Sequence, residues 1–284
     1  MQWTPGGTSG DLEDRRSESG GGGGGGFGGV HLGIGGTIIV GLLSLVFHQN
    51  LFQVFSGGPS AAPVSRPDPV RDQGEKTEVE FVSFVLDDVQ KNWDQLLPQQ
   101  EQREYRHAKL VLYREEYPSG CGTAERATGP FYCPQDEKVY LDLGFFDELK
   151  NRFGAAGQFA QAYVIAHEIG HHVQKVLGIE TKVRQLQHRN PGEVNPLSVR
   201  LELQADCFAG VWANSTRQRG LIDAQDVQSG INAAAAVGDD RLQKASQGVV
   251  NPETFTHGSS AQRVQWFRTG LDSGKISSCQ TFGG

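Results

Sequence analysis

Lysine and arginine are few and scattered in this sequence. Its 284 residues carry 26 basic against 33 acidic side chains, a formal net charge of −7. Phosphate binding needs concentrated positive charge, so a nucleic-acid partner is excluded. Long hydrophobic runs are nearly absent, with one stretch approaching spanning length, which excludes a multi-span membrane protein. Cysteine is sparse: four residues, none in C-x-x-C spacing, so a thiolate zinc site of the ribbon type is not expected. None follows the apolar run, which excludes a lipoprotein anchor. An apolar fraction of 37% excludes a wholly disordered chain.

What is present divides the chain into parts. Glycine is abundant, and 18 of the 38 glycines fall in the first 60 positions. Residues 1–26 are polar and end in seven consecutive glycines, which reads as a Gly-rich flexible N-terminal tail. Residues 27–47 hold no Asp, Glu, Lys or Arg and would cover about 30 Å as a helix, close to a bilayer core. They are expected to form one transmembrane anchor, with a cleaved signal or a buried hairpin as the alternatives. The arginines on either side, Arg15 and Arg16 against Arg66 and Arg71, do not decide the orientation. Residues 48–78 read as a Pro/Gly-rich linker. The remaining stretch, 79–284, is long enough to bury a core as one domain.

Within that domain, apolar spacing predicts a helix from Val79 to Leu97 ended by Pro98, and short strands at 110–113 and 138–143. Helices are expected at roughly 145–153, 157–177, 196–219, 223–247 and 259–272, with Gly178 and Gly220 as C-terminal caps. Few strands early and many helices late indicate an α+β fold. Cys121 and Cys133 flank a step that can close as a loop, and Cys207 could then meet Cys279. Two disulfides would indicate an oxidising compartment; four reduced thiols are the alternative.

The chemistry is concentrated in His167-Glu168-Ile169-Gly170-His171-His172. His167 and His171 are four apart on an apolar helix, so both imidazoles share one face and can ligate one Zn²⁺. Glu168 projects toward the open coordination position as a candidate general base. A shuffled chain of this composition yields about 0.01 such H-E-x-x-H motifs, so chance is a poor explanation. A catalytic zinc site needs a third ligand and a group that orients a histidine. Thirty-one residues beyond His171, Glu202 and Asp206 stand four apart on another apolar helix. Glu202 is the expected third ligand, and Asp206 the acceptor for a ligating imidazole's far N–H. His172 faces away and reads as structural; His107 and His188 lie in polar stretches with no specific role.

HEIGHH followed by RLELQADCFAG resembles the gluzincin arrangement, H-E-x-x-H with a downstream E-x-x-x-D. More closely, the chain from about Phe81 resembles the neutral zinc metallopeptidases of bacteria. Three segments carry the likeness: Gly129 to Pro134, Phe159 to His172, and Phe255 to Arg263. The resemblance implies a mostly helical, zincin-like metalloprotease domain with a small β-sheet, one Zn²⁺ per chain and a peptide or protein substrate. It also implies an edge strand along which an extended peptide lies, and it fits a single N-terminal span. The stretch from Thr256 to Arg263 is similar to the T-H-P-x-x-x-x-R segment of the membrane-bound prenyl-protein and heat-shock zinc proteases, with Gly258 in place of proline. That implies His257 as a stabiliser of the developing oxyanion and Arg263 packed near the site. The expectation is a single-pass membrane protein whose metallopeptidase domain lies outside the cytoplasm. The alternatives are a tethered binding or assembly protein on a zincin scaffold, which would be marked by a lost ligand or a lost Glu168, and a zinc hydrolase with a non-peptide substrate.

Overall fold

The computed structural model describes residues 1–18, 69–126, 129–151 and 154–283. Elements run in the order β1 (Leu12–Asp14), α1 (Pro69–Gly74), α2 (Lys76–Glu101), β2 (Lys109–Tyr113), β3 (Glu116–Ser119), β4 (Gly122–Glu125), β5 (Phe131–Cys133) and β6 (Lys138–Asp142). Then come the helices α3 (Gly144–Asn151), α4 (Gln158–Val176), α5 (Ile179–Arg189), α6 (Val194–Gln218), α7 (Ala224–Ala236), α8 (Asp239–Gln247) and α9 (Ser260–Ser273). The fold is α+β and mostly helical.

The four-stranded sheet has the order β1-β2-β6-β5, with β1, β2 and β6 parallel and β5 antiparallel at one edge. Both faces of β2 are covered, which is why its sequence runs apolar without alternation. Leu110 and Leu112 pack toward the helices, whereas Val111 and Tyr113 pack with Ala124, Cys133 and Tyr140 beneath the β3–β4 hairpin. Cys121–Cys133 ties that hairpin to β5, and Cys207–Cys279 ties the C-terminal segment to α6.

Pro98 lies inside α2 rather than ending it. It removes one donor in the final turn, and left-handed Gln102 closes the helix by donating its N–H to the Leu97 carbonyl. The span expected as one helix over 223–247 is two, α7 and α8, broken at Val237 and Gly238. Gly178 and Gly220 do sit in the left-handed region at helix ends. Helices α6 and α9 meet at glycines: a Cβ on Gly270 would lie 1.9 Å from the Cys207 carbonyl oxygen, and one on Gly210 2.1 Å from that of Phe267. No side chain fits at either position.

Two expectations are corrected at the N-terminus. The flexible tail of residues 1–26 is not free over its described part, 1–18. There β1 pairs with β2, the Gln2 N–H donates to the Leu221 carbonyl at 2.7 Å, and the Trp3 ring stands edge-on to Phe81. The Arg16 guanidinium bonds Glu75 at 2.6 Å, and helical structure begins at Pro69, inside the expected linker 48–78. The single-pass membrane topology is corrected as well. The expected anchor 27–47 lies outside the described residues, and among the described residues no helix is long and apolar enough to cross a membrane.

Leu12 separates a packed strand from a free tail, because it is buried at 9% exposure. Leu12→Ala is expected to destabilise the protein by about 2–3 kcal/mol in urea denaturation. A free tail would leave the midpoint unchanged.

Candidate metal centre

Helix α4 is apolar on nearly every face and lies inside the core, with Ala160, Ala162, Ile169 and Val173 fully buried. Polar side chains there require partners. His167 and His171 face α6, and Gly170 lies where the helices approach closely: a Cβ there would be 3.0 Å from the Ala205 carbonyl oxygen. That approach brings Glu202 within reach of both rings, His167 Nε2 at 3.2 Å and His171 Nε2 at 3.5 Å. The ligand atoms of His167, His171 and Glu202 all lie within 4.8 Å of one another. Two imidazole nitrogens and one carboxylate converging on one point fit the donor set of a three-ligand zinc site with an open fourth position.

Asp206, one turn beyond Glu202, has no exposed surface. It accepts from His167 Nδ1 at 3.0 Å, from Arg263 Nε at 2.8 Å and Nη2 at 2.9 Å, and from the Tyr163 hydroxyl. Burial pushes the Asp206 carboxyl up, but Arg263 and His167 outweigh it and hold the pKa below the usual range. An ionised Asp206 can only accept, so His167 carries its proton on Nδ1 and turns Nε2 toward Glu202. Burial pulls the His167 imidazole down, yet Asp206 and Glu202 raise it to about 10. The field that favours a proton there also favours a divalent cation.

Glu168 is buried beside the two histidines. Burial raises its pKa against the pull of His167 and His171, and a backbone hydrogen bond from Tyr132 on β5 supports its ionised form. His257 belongs to the loop before α9. Its Nδ1 lies 3.2 Å from Asp239 Oδ1, and Asp239 Oδ2 accepts the backbone N–H groups of Thr256, His257 and Gly258 at 2.7, 2.7 and 3.0 Å. Gly258, where the similar proteases have proline, takes a φ of 92°, which proline cannot adopt. Burial lowers the His257 pKa, but Glu202 and then Asp239 raise it overall, which places its ring in the field of the same carboxylate that faces His167 and His171. Ser259 and Gln262 form a capping box that starts α9 and sets Arg263 one residue further on, facing Asp206.

The structure therefore brings His167, Glu168, His171, Glu202, Asp206, His257 and Arg263 together. His172 points away, as expected. Its Nε2 donates to the Arg106 carbonyl at 2.7 Å and its Nδ1 accepts from the Tyr132 hydroxyl at 3.0 Å. His188 is exposed. His107 departs from its reading: it bridges Asp11 and Asp94 at 2.6 and 2.9 Å, clasping the N-terminal segment to α2. Tyr163, Gln174 and Asp239 were missed. Asp239 had a local signal, since Gly238 followed by two acids is a helix start, but the single helix expected over 223–247 concealed it.

Removing Asp239 would strand three backbone donors. Asp239→Ala is expected to cost about 3 kcal/mol in urea denaturation and to speed amide exchange at 256–258. Because the folded pKa of Asp239 is depressed by His257 and these N–H groups against burial, its contribution is complete above about pH 4 and is lost as pH falls through the folded value. Gly170→Val should force α4 and α6 apart and lower zinc affinity roughly tenfold or more in chelator competition.

The family model described as "Putative neutral zinc metallopeptidase" matches residues 1–282 of this chain. "Uncharacterized protein YpfJ" of Escherichia coli (strain K12) is 48% identical over 288 residues, covering 100% of this chain and 99% of that protein. "Uncharacterized protein Rv2575" of Mycobacterium tuberculosis (strain ATCC 25618 / H37Rv) is 43% identical over 201 residues, covering 67% of this chain and 66% of its own length. No solved structure matches the chain. With the family model spanning nearly all of its length, the chain belongs to the bacterial neutral zinc metallopeptidase family.

Proposed function

We propose that this protein is a zinc-dependent metallopeptidase that hydrolyses peptide bonds in an extended peptide or protein segment. The observation that carries the reading is the convergence of His167, His171 and Glu202 within 4.8 Å, with the buried Glu168 carboxylate adjoining them. When bound by these three side chains, zinc supplies Lewis acidity to the substrate carbonyl and to the attacking water. Glu168 takes the proton from that water and returns it to the amine nitrogen as the peptide bond breaks. Its raised pKa suits a group that must hold and release a proton. His257, with Nδ1 held toward Asp239, directs Nε2 to the oxygen on which negative charge develops. Asp206 and Arg263 hold His167 in the ligating tautomer and take no proton themselves.

Substrate binding follows from β5. It is an edge strand, pairs only with β6 among the described residues, and carries Tyr132 against Glu168. A peptide added along that edge satisfies its backbone groups by β-augmentation and brings a scissile bond to the two histidines. A zincin-like architecture, with an edge strand above the ligand helix, is the fold this arrangement supports.

Metal analysis precedes activity, because the substrate sequence is unknown. The purified full chain is expected to hold about one zinc per chain and Glu202→Ala much less. Glu168→Gln should keep the metal and lose hydrolysis of a quenched-fluorescent peptide library by roughly 10²–10⁴-fold. Undiminished hydrolysis in that variant would remove Glu168 as the base. A folded parent with no zinc would remove the peptidase reading.

A further inference from the structure

His167 and His171 present the same nitrogen toward Glu202, yet they are held differently. Behind His167 stands a carboxylate that can only accept. Behind His171 stands a neutral amide: His171 Nδ1 lies 2.9 Å from Gln174 Oε1, one turn along α4. A glutamine amide presents an acceptor on one side and a donor on the other, and the choice between them is consequential. If Oε1 faces the ring, Nδ1 carries the proton and Nε2 offers a lone pair. If the amide were reversed, Nδ1 would accept, the proton would sit on Nε2, and the imidazole could not ligate.

The surroundings remove the ambiguity. Gln174 Nε2 lies 2.7 Å from the Leu201 backbone carbonyl and 3.1 Å from Gln204 Oε1. Gln204 Nε2 lies 2.8 Å from the Cys279 backbone carbonyl. A carbonyl only accepts, so each carbonyl assigns a donor and the assignments agree along the chain. Cys279 O takes the Gln204 N–H, Gln204 Oε1 takes the Gln174 N–H, and Gln174 Oε1 is left for His171. Both glutamines are buried, at 1% and 4% exposure, so water does not compete for these positions. The far end is fixed because Cys279 is bonded to Cys207, three residues beyond Gln204 on the same helix.

We infer that Gln174 is a positioning residue for His171, and that the Gln174–Gln204–Cys279 relay sets His171 in the Nδ1–H tautomer that leaves Nε2 free to ligate. This rests on the zinc reading for its purpose but not for its geometry. The two histidines are thus oriented by different means, a buried ion pair for His167 and a neutral relay for His171. The neutral relay orients the ring without adding a further charge to a pocket that already holds Glu202 and Asp206.

The test begins with the parent protein, stripped of metal by a chelator. Imidazole ¹⁵N shifts at mildly alkaline pH should show His171 protonated on Nδ1; an Nε2–H ring would overturn the inference without any variant. Gln174→Met keeps the side-chain length and removes both amide functions. It is expected to lower zinc affinity roughly 10–100-fold in chelator competition and to move His171 toward the Nε2–H form. Gln204→Met leaves Gln174 one anchor, the Leu201 carbonyl, and should give a smaller loss in the same direction. A folded Gln174→Met protein with parental zinc affinity and an unchanged His171 tautomer, whatever its melting temperature, would overturn the proposal. If Gln174→Met does not fold, the parent spectrum and Gln204→Met decide. A parent that binds no zinc sinks the peptidase reading, and the tautomer measurement still decides this one.

Discussion

A fully buried carboxylate, Asp206, is the constraint around which this protein is assembled. Removing an ionised group from water is costly unless its charge and its lone pairs are all met. Asp206 is met by three side chains from two elements besides its own: Tyr163 and His167 from α4, and the guanidinium of Arg263 from α9. Satisfying it requires α4, α6 and α9 to pack at side-chain range, and the glycines show how that is reached. Gly170 against Ala205 lets α4 approach α6, while Gly210 and Gly270 let α6 and α9 meet backbone to backbone. The same approach places Glu202 before His167 and His171. The candidate ligand set and the core are therefore products of one packing arrangement, and a change in either is felt in the other.

The second organising feature is that the polar groups of the site are held in layers. Behind the three candidate ligands stand Asp206 and Gln174, and behind these stand Arg263, Gln204 and the Cys279 carbonyl. On the opposite wall His257 is held by Asp239, which is in turn held by three backbone N–H groups. Each functional nitrogen has its partner on the far side occupied, which is how imidazoles are kept in one tautomer and one orientation. Both disulfides serve this layering. Cys121–Cys133 secures the strand that carries Tyr132 to Glu168, and Cys207–Cys279 secures the end of the relay behind His171.

The legible parts were those whose geometry is local. Residues four apart on a helix share a face in any fold, so His167 and His171, and Glu202 and Asp206, could be read as pairs before their helices were placed. The long apolar helices were legible for the same reason. Local cues failed where a distant partner set the conformation. Residues 1–18 have the composition of a tail, yet Leu12 finds Leu110 across 98 positions and the segment becomes a strand. Tyr163 looked like one more apolar helix residue because its hydroxyl finds Asp206 across 43 positions. The run over 223–247 looked continuous because the force that breaks it, the capture of three amides by Asp239, comes from residues 256–258.

Sequence alone determined the residue types and their helical spacing, and with them the two halves of the candidate centre, since both depend only on the 3.6-residue repeat. Only the tertiary structure decided that the halves meet, because that depends on how closely two helix backbones can approach. It alone decided which nitrogen of His167 and of His171 faces Glu202, because that is set by what stands behind each ring. It also decided that residues 1–18 belong to the same sheet as the domain after residue 68. Strand pairing is a contact between distant residues, and no composition or hydropathy pattern of the pairing segment records it.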